Sequence, residues 1–200
     1  MARASALTSH RLRWLFFGVV LCATAMLGGC DRPTAAVQLA GDTMGTRWHV
    51  SYVPAAQGPG EAQVQAAVGD VLDGINASMS TYDPASEIST INRSARQRSA
   101  TVTVSEPFAT VLEAALTVHG ATGGRYDVTV EPLVSLWGFG PGERRDSVPP
   151  ESAIEVARRA VGLQRLGWDR EQRRLTVPEG MSLDFSSLAK GYAVDRVLER

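Results

Sequence analysis

The side chains of this chain that could do chemistry together are concentrated in residues 184–190. Lys190 is the only lysine, since every other residue among the 20 lysines and arginines is arginine. It follows Asp184, Ser186 and Ser187 where an alternating, strand-like pattern changes to helical spacing, and either serine is suited to cap that helix. Free N–H groups at a helix start, an ammonium group and a hydroxyl that can ligate Mg²⁺ predict a phosphate or diphosphate site. A capped helix whose lysine lies in solvent is the alternative that these residues leave open.

Hydrophobic periodicity predicts the elements that position these residues. Helices are predicted at about 61–78, from Ser105 to the Gly123-Gly124 pair, at about 151–161, and after Ser187. Strands are predicted at 46–53, 101–104, 175–177 and 181–184, the last two forming a hairpin around a turn at 178–180. Irregular structure is predicted for 79–98, and an extended segment followed by a glycine-rich loop for 125–142. Helices mixed with short paired strands, without regular βαβ alternation, indicate an α+β fold.

The first 38 residues have the features of an exported, lipid-anchored protein. A basic start without acids precedes the apolar run Trp14–Leu27, which is too short to span a bilayer comfortably and is typical of a signal peptide. The run ends in Leu-Gly-Gly-Cys30, which resembles the bacterial lipoprotein processing box. We therefore expect residues 1–29 to be a signal peptide, Cys30 to be lipidated, and residues 30–38 to form a tether. An ordinary signal peptide followed by a chance cysteine is the alternative.

Charge and cysteine content restrict the function of the exported part. Removal of residues 1–29 takes away three arginines and no acid, which leaves 17 basic and 21 acidic residues and a net charge of −4. This balance argues against a general nucleic-acid-binding protein. Cys22 leaves with the predicted signal peptide, so no disulfide framework is expected.

Four separated segments resemble, in order and spacing, the FAD:protein FMN transferases, the ApbE-type flavin transferases. The segments are Thr43–Thr46, Met79–Ile88, Gly124–Pro141 and Asp184–Asp195. The resemblance runs from about residue 39 to the end of the chain. It implies an α+β fold that binds FAD with Mg²⁺ and transfers the FMN half to a threonine hydroxyl of an exported acceptor protein, with AMP as the leaving group.

The resemblance also implies roles for individual residues. Seven of them are expected at the FAD: Met44, Tyr82, Arg125, Tyr126, Asp127, Asp184 and Lys190. Ser187 is expected to place an oxygen on Mg²⁺. From the residues alone, Met44 and Tyr82 could instead be packing or rim residues, Arg125 a solvated turn residue, and Asp127 a structural cap.

The resemblance further implies that part of the family's site lies beyond Arg200. The remaining metal ligands and a His-x-x-Asp-Pro-x-Thr-Gly segment belong there in the family. Residues 39–200 are therefore expected to be the N-terminal part of the flavin transferase domain, truncated at its C-terminus, with weak or no catalysis on their own. No residue of this chain is predicted as the catalytic base.

Asp31 and a short motif at residues 119–122 bear on where the protein is located and on whether it could modify itself. Asp31, directly after Cys30, resembles the signal that retains lipoproteins at the inner membrane of Gram-negative bacteria, so we expect the protein at its periplasmic face. His119-Gly-Ala-Thr122 resembles the Ser/Thr-Gly-Ala-Ser/Thr motif of acceptor proteins. Its first residue is histidine instead of serine or threonine, which favours a helix end over a self-modification site.

The sequence also bears on three other functions. Ser187-Leu-Ala-Lys190 fits the Ser-x-x-Lys motif of penicillin-binding proteins, yet the Ser-Asp-Asn and Lys-Thr-Gly motifs that accompany it are missing from the sequence. His49 and His119 lack the spacing of zinc ligands. A lipid-anchored protein that binds or buffers FAD without transferase activity remains the second function class.

Overall fold

The computed structural model describes residues 35–142 and 147–200. These residues form five strands and six α-helices, which confirms the predicted α+β class. In chain order they are β1 (Val37–Thr43), β2 (Thr46–Tyr52), α1 (Glu61–Met79), α2 (Glu87–Ala95), β3 (Ala100–Thr103), α3 (Glu106–Ala121), α4 (Glu131–Leu136), α5 (Glu151–Ala160), β4 (Gly167–Asp169), β5 (Arg174–Val177) and α6 (Ser186–Glu199). The predicted signal peptide and Cys30 lie outside the described residues.

Strands β1 and β2 form a tight antiparallel hairpin. Val37 is opposite Tyr52 and Thr43 is opposite Thr46, so Met44 and Gly45 make a two-residue turn. Their φ angles are 50° and 69°, as a type I′ turn requires. Glycine adopts this conformation freely, whereas for Met44 it is strained, and such strain is concentrated at functional positions. The hairpin starts at Val37, although the sequence predicts a tether through residue 38.

The second sheet has the order β3-β5-β4, and both of its pairings are antiparallel. The predicted hairpin between 175–177 and 181–184 is therefore wrong. Strand β5 lies between β3 and β4, so neither of its edges is free to pair with the segment that follows it. Residues 181–184 instead run on as a buried extended segment towards α6.

One hydrophobic core lies between helices α1, α2, α3 and α6 and the three-stranded sheet. The rings of Phe108 on α3 and Phe185, directly before α6, meet edge to face with centroids 4.8 Å apart, and neither ring has any exposed surface. Burial of aromatic side chains in this geometry is among the strongest packing contributions to a small core. The core therefore fixes the position at which α6 begins.

Two helices replace segments that the sequence predicts as irregular or extended. Helix α2 starts after Ser86, whose hydroxyl accepts a hydrogen bond from the N–H of Ser89, and it buries Ile88, Ile91 and Ala95. Those residues have helical spacing, but the nine-residue helix is otherwise polar. Helix α4 has only six residues, too few for periodicity to reveal.

Within residues 35–142 and 147–200, no helix is both long and apolar enough to cross a membrane.

Candidate functional site

Residues Asp184–Lys190, which we call the corner, join the buried extended segment to α6. A side-chain oxygen of Asp184 accepts a hydrogen bond from the N–H of Ser186 at 2.7 Å. The helix cap position is Phe185, without a capping side chain of its own, and Ser186 and Ser187 are the first two helical residues. The prediction that one of these serines caps the helix is therefore wrong. Because Asp184 satisfies the first free N–H, both serine hydroxyls are left to face the cavity described below.

The backbone before the corner is held by a buried amide side chain. Asn92 of α2 donates from Nδ2 to the carbonyl oxygen of Leu183 and accepts from the Leu183 N–H, both at 2.8 Å. The N–H of Asp184 donates to the carbonyl oxygen of Val128, also at 2.8 Å. A side-chain amide that satisfies both backbone polar groups of one residue in this way makes the same pair of hydrogen bonds as a neighbouring antiparallel strand. This pairing sets the direction in which the corner leaves the core.

A pair of hydroxyls connects the corner to the segment after α3. The Tyr126 hydroxyl and Ser187 Oγ are 2.8 Å apart, and either oxygen can be the donor. Burial raises the pKa of Tyr126 above its usual value, and the nearby carboxylates of Asp184 and Asp127 act in the same direction, whereas the Ser187 hydrogen bond lowers it. Tyr126 is therefore protonated at neutral pH and keeps an O–H for hydrogen bonding.

Asp127 has a structural role in the segment that ends at the cavity. One of its carboxylate oxygens accepts from the N–H and the hydroxyl of Thr129, at 2.8 and 2.6 Å. The other accepts from the N–H of Leu163 at 2.9 Å. A carboxylate with three hydrogen bonds from within the protein matches the structural-cap alternative, although Asp127 also lines the cavity.

His119 and Thr122 end helix α3 beside this segment. His119 Nδ1 is 2.7 Å from the carbonyl oxygen of Tyr126, so the ring supports the backbone of the cavity wall. The Thr122 hydroxyl donates to the carbonyl oxygen of Val118 at 2.8 Å, and its backbone forms the helix C-cap. Both observations agree with the interpretation of His119-Gly-Ala-Thr122 as a helix end.

Opposite the corner lies a rim of exposed aromatic residues, which consists of Tyr82 and the loop 137–142. Tyr82 is 62% exposed and Phe139 is 72% exposed. The Tyr82 hydroxyl donates to the carbonyl oxygen of Phe139 at 3.1 Å, so the Tyr82 side chain is tied to the backbone of the loop. We call this unit the aromatic rim.

The corner and the aromatic rim enclose a cavity of about 580 Å³ that also contains Met44 from the hairpin turn. Its size falls in the range of small-molecule sites. All eight residues predicted for FAD and Mg²⁺ line it: Met44, Tyr82, Arg125, Tyr126, Asp127, Asp184, Ser187 and Lys190. They come from sequence positions spread over most of the described chain, and the fold brings all of them to one surface.

Several cavity residues were not predicted from the sequence. They are Ile75, Asn76, Met79, Ser80, Val130, Val134, Phe139, Ser186 and Ala189. Asn76, near the end of α1, donates to the Thr43 hydroxyl at 3.0 Å and thereby ties that helix to the hairpin turn. A phenylalanine in the glycine-rich loop was a usable signal, because an aromatic side chain between glycines has little to pack against within its own loop.

Two cationic side chains line the cavity, and they differ in their contacts to the rest of the described protein. Arg125 is exposed and donates to the carbonyl oxygen of Thr122 at 3.3 Å, so it is also the solvated turn residue of the alternative interpretation. Lys190 is exposed and forms no salt bridge within the described part of the chain. It lies between this cavity and an adjoining apolar groove of about 440 Å³ beside Trp48 and Val197.

The described residues offer little for a resident metal ion. Among residues 35–142 and 147–200, no three His, Cys, Asp or Glu side chains form a group that could hold one. Ser187 can give a single hydroxyl oxygen, and Mg²⁺ requires about six oxygen ligands. A magnesium ion here would depend on phosphate, water and other protein oxygens for most of its coordination.

Comparison with known proteins connects this geometry to one family. The ApbE family model matches residues 44–200. The FAD:protein FMN transferase of Vibrio cholerae is 37% identical over 195 residues, which cover 93% of this chain and 54% of that protein. That of Haemophilus influenzae is 34% identical over 198 residues, which cover 94% and 56%.

Solved structures agree with the sequence matches. The flavin transferase ApbE from Vibrio cholerae superposes with a TM-score of 0.77 at 34% identity, covering 84% of this chain and 53% of that one. The apo flavinyl transferase ApbE of Pseudomonas stutzeri has a TM-score of 0.75 at 32% identity, with coverage of 83% and 51%. The chain spans about half the length of the curated relatives it matches.

Proposed function

The chain belongs to the ApbE family, and on this basis we propose that it forms part of an enzyme that transfers FMN from FAD to a protein. The observation that carries the proposal is the cavity between the corner and the aromatic rim, where eight side chains expected at FAD or Mg²⁺ meet. The relatives' names specify FAD and a protein as the two substrates. We further propose that the transfer depends on Mg²⁺, that the acceptor residue is a threonine, and that AMP leaves.

The two sides of the cavity suit the two chemical parts of FAD. The start of α6 presents the positive end of the helix dipole and the Lys190 ammonium, both of which favour the anionic diphosphate. Tyr82 and Met44 offer an aromatic face and a polarizable thioether, which suit a flat heterocycle. The carboxylate of Asp184 would repel phosphate, so we assign it to hydrogen-bond donors on the uncharged part of the ligand.

The proposed reaction is the displacement of AMP at phosphorus. The oxygen of the acceptor hydroxyl bonds to the phosphorus of the FMN half, and the bond from that phosphorus to the bridging oxygen breaks. AMP leaves with the bridging oxygen, and the hydroxyl proton passes to a base to which we assign no residue. Mg²⁺, when bound, supplies positive charge that neutralises the phosphate oxygens.

This chain's own residues would bind and orient in that reaction. Lys190 offsets the charge that develops on the departing phosphate, and Ser187 offers an oxygen to the cation. Tyr126 holds Ser187 in place through the 2.8 Å contact between their hydroxyls. Fixed groups of this kind lower the barrier because they do not have to reorganise as charge moves.

A mass measurement tests the proposed function. The complete polypeptide that carries this chain is incubated with FAD, Mg²⁺ and an exported domain containing a Ser/Thr-Gly-Ala-Ser/Thr motif. We expect the acceptor to gain the mass of FMN minus water, with one AMP released per modified acceptor. Replacement of the acceptor threonine by valine should abolish both signals. Retention of FAD without a mass change would instead indicate a flavin-binding protein that lacks transferase activity.

The role of Lys190 is tested against another cation on the same helix. Lys190→Ala should weaken FAD binding about tenfold, which corresponds to loss of one charge-assisted contact of about 1.4 kcal/mol. Arg196→Ala is the matched control, because Arg196 pairs with Glu199 at the far end of α6 and does not line the cavity. Equal flavin titrations for the two variants would remove Lys190 from the site.

We also propose that residues 1–29 are removed as a signal peptide and that Cys30 is lipidated. This would hold the protein at the periplasmic face of the inner membrane, where an exported acceptor is accessible. The support is the sequence pattern of this segment alone. In a Gram-negative host, Cys30→Ser should move the protein from the membrane fraction to the soluble periplasm, and an unchanged distribution would contradict lipidation.

A further inference from the structure

A buried carboxylate outside the cavity supports the aromatic rim. Glu131, the first residue of α4, is only 5% exposed, and it is not among the residues that line the cavity. The hydroxyl of Ser135, one turn later, donates to Glu131 Oε1 at 2.6 Å. Arg96 Nη2 lies 3.4 Å from the same oxygen. Burial of a carboxylate is costly unless it is paired or hydrogen-bonded, so these two contacts are what stabilise the charge of Glu131 inside the protein.

Ser135 connects this carboxylate to the loop that follows α4. The loop folds back over the helix, with the N–H of Gly138 donating to the carbonyl oxygen of Ser135 and the N–H of Phe139 donating to that of Val134, both at 3.0 Å. A Cβ atom added to Gly140 would lie 2.6 Å from the Ser135 Oγ. The loop therefore closes tightly onto the hydroxyl that Glu131 holds.

The same loop carries the aromatic rim. The carbonyl oxygen of Phe139 accepts the hydrogen bond from the Tyr82 hydroxyl, and both side chains line the cavity. Continuous contacts thus run from the buried carboxylate through Ser135 and the folded loop to the Tyr82 ring. Arg96 is largely exposed, so its ion pair contributes little, and the charge-assisted hydrogen bond from the Ser135 hydroxyl to the carboxylate is the essential link.

We propose that Glu131 is a positioning residue for the flavin site, which holds the aromatic rim against the bound FAD through Ser135 and the loop at Phe139. The inference rests on the proposed function, because only that function identifies FAD as the ligand that contacts the aromatic rim. Glu131 itself does not touch the ligand. Its removal leaves the Ser135 hydroxyl without its acceptor, so the loop keeps its backbone hydrogen bonds to Val134 and Ser135 but packs against a hydroxyl that is no longer fixed. The rim would then have to be ordered in part during binding, at the expense of affinity.

The test is a titration of FAD with the complete protein, in which quenching of the FAD fluorescence measures binding. Four variants are compared with the unmodified protein. Glu131→Ala should weaken FAD binding about three- to tenfold. Glu131→Gln keeps an oxygen that accepts from Ser135, although the hydrogen bond becomes neutral and the ion pair with the exposed Arg96 is lost. It should therefore bind within about twofold of the unmodified protein. Ser135→Ala should reproduce the effect of Glu131→Ala, and the double variant should be no weaker than either single variant, because both break one link.

A fifth variant separates positioning from general stability. Val177→Ala removes methyl groups from a fully buried site in β5 that is not part of the cavity. It should lower the unfolding temperature at least as much as Glu131→Ala and leave FAD affinity unchanged. If affinity falls equally in the Val177 variant, or if both Glu131→Ala and Ser135→Ala bind FAD normally, Glu131 has no positioning role. Failure of the unmodified protein to bind FAD would instead overturn the proposed function itself.

Discussion

The two sides of the cavity are built on different principles. The corner continues directly from the hydrophobic core, in which the side chains of Leu183 and Phe185 are fully buried. The backbone of Leu183 is hydrogen-bonded to the side chain of Asn92, and the N–H of Asp184 donates to the carbonyl oxygen of Val128. The aromatic rim is exposed and is held by a few polar contacts, those of Tyr82, Ser135 and Glu131. The comparison indicates that a rigid core fixes the groups proposed for the diphosphate, whereas a locally supported loop holds those proposed for the ring. Mutations of the buried residues that anchor the corner should therefore reduce stability, and mutations at the rim should reduce ligand affinity.

The largest expected effect is the removal of the ring that anchors the corner. Phe185→Ala should lower the free energy of unfolding by about 3–5 kcal/mol, because it leaves a cavity against Phe108 in a fully buried site. Phe139→Ala, in the rim, is the matched control and should change it by no more than about 0.5 kcal/mol, since that ring is exposed. Urea unfolding of both variants measures the contrast. Similar losses from the two rings would mean that the rim also belongs to the core.

A smaller loss of stability is expected at Asn92. Asn92→Leu leaves the N–H and the carbonyl oxygen of Leu183 buried without partners, at about 1–3 kcal/mol for each group. Asn76→Ala, which removes one half-buried hydrogen bond to Thr43 at the cavity edge, should cost only about 1 kcal/mol. Urea unfolding with both variants in parallel shows whether the corner depends on the amide. Equal costs would indicate that water replaces Asn92 without a penalty.

The sequence predicted the corner better than the rim, and the comparison explains why. Helical spacing after Ser187 and the solitary Lys190 are local signals, so the start of α6 could be predicted to within two residues. The cap was assigned to the wrong side chain. Asp184, Ser186 and Ser187 can all accept a hydrogen bond from an N–H group at the start of a helix, and only the direction of the incoming chain decides which of them does so. That direction depends on Asn92, which lies 91 residues before Leu183.

Non-local contacts account for the other errors. The hairpin prediction failed because β5 pairs with Ala100–Thr103, a strand that lies far earlier in the chain. Helix α4 has too few residues to show a period, and its first residue is buried against Arg96, which is 35 residues away. Five of the eight site residues were identified only through the family resemblance: Met44, Tyr82, Arg125, Tyr126 and Asp127. Asp184, Ser187 and Lys190 also had a local signal, but no pattern within these segments would have indicated that all eight share one cavity.

The smallest expected effect concerns the polar tip of the aromatic rim. Tyr82→Phe removes one exposed hydrogen bond to the Phe139 carbonyl oxygen, so FAD affinity should fall by less than about threefold. Tyr82→Ala also removes the ring and should weaken binding about tenfold, with little change in the unfolding temperature, since the side chain is largely exposed. Titrations of the two variants separate the contribution of the ring from that of the hydroxyl. If both variants lose the same affinity, the hydroxyl is what matters, and the rim acts through its connection to Phe139 and Glu131; if neither loses affinity, the ligand does not reach the rim.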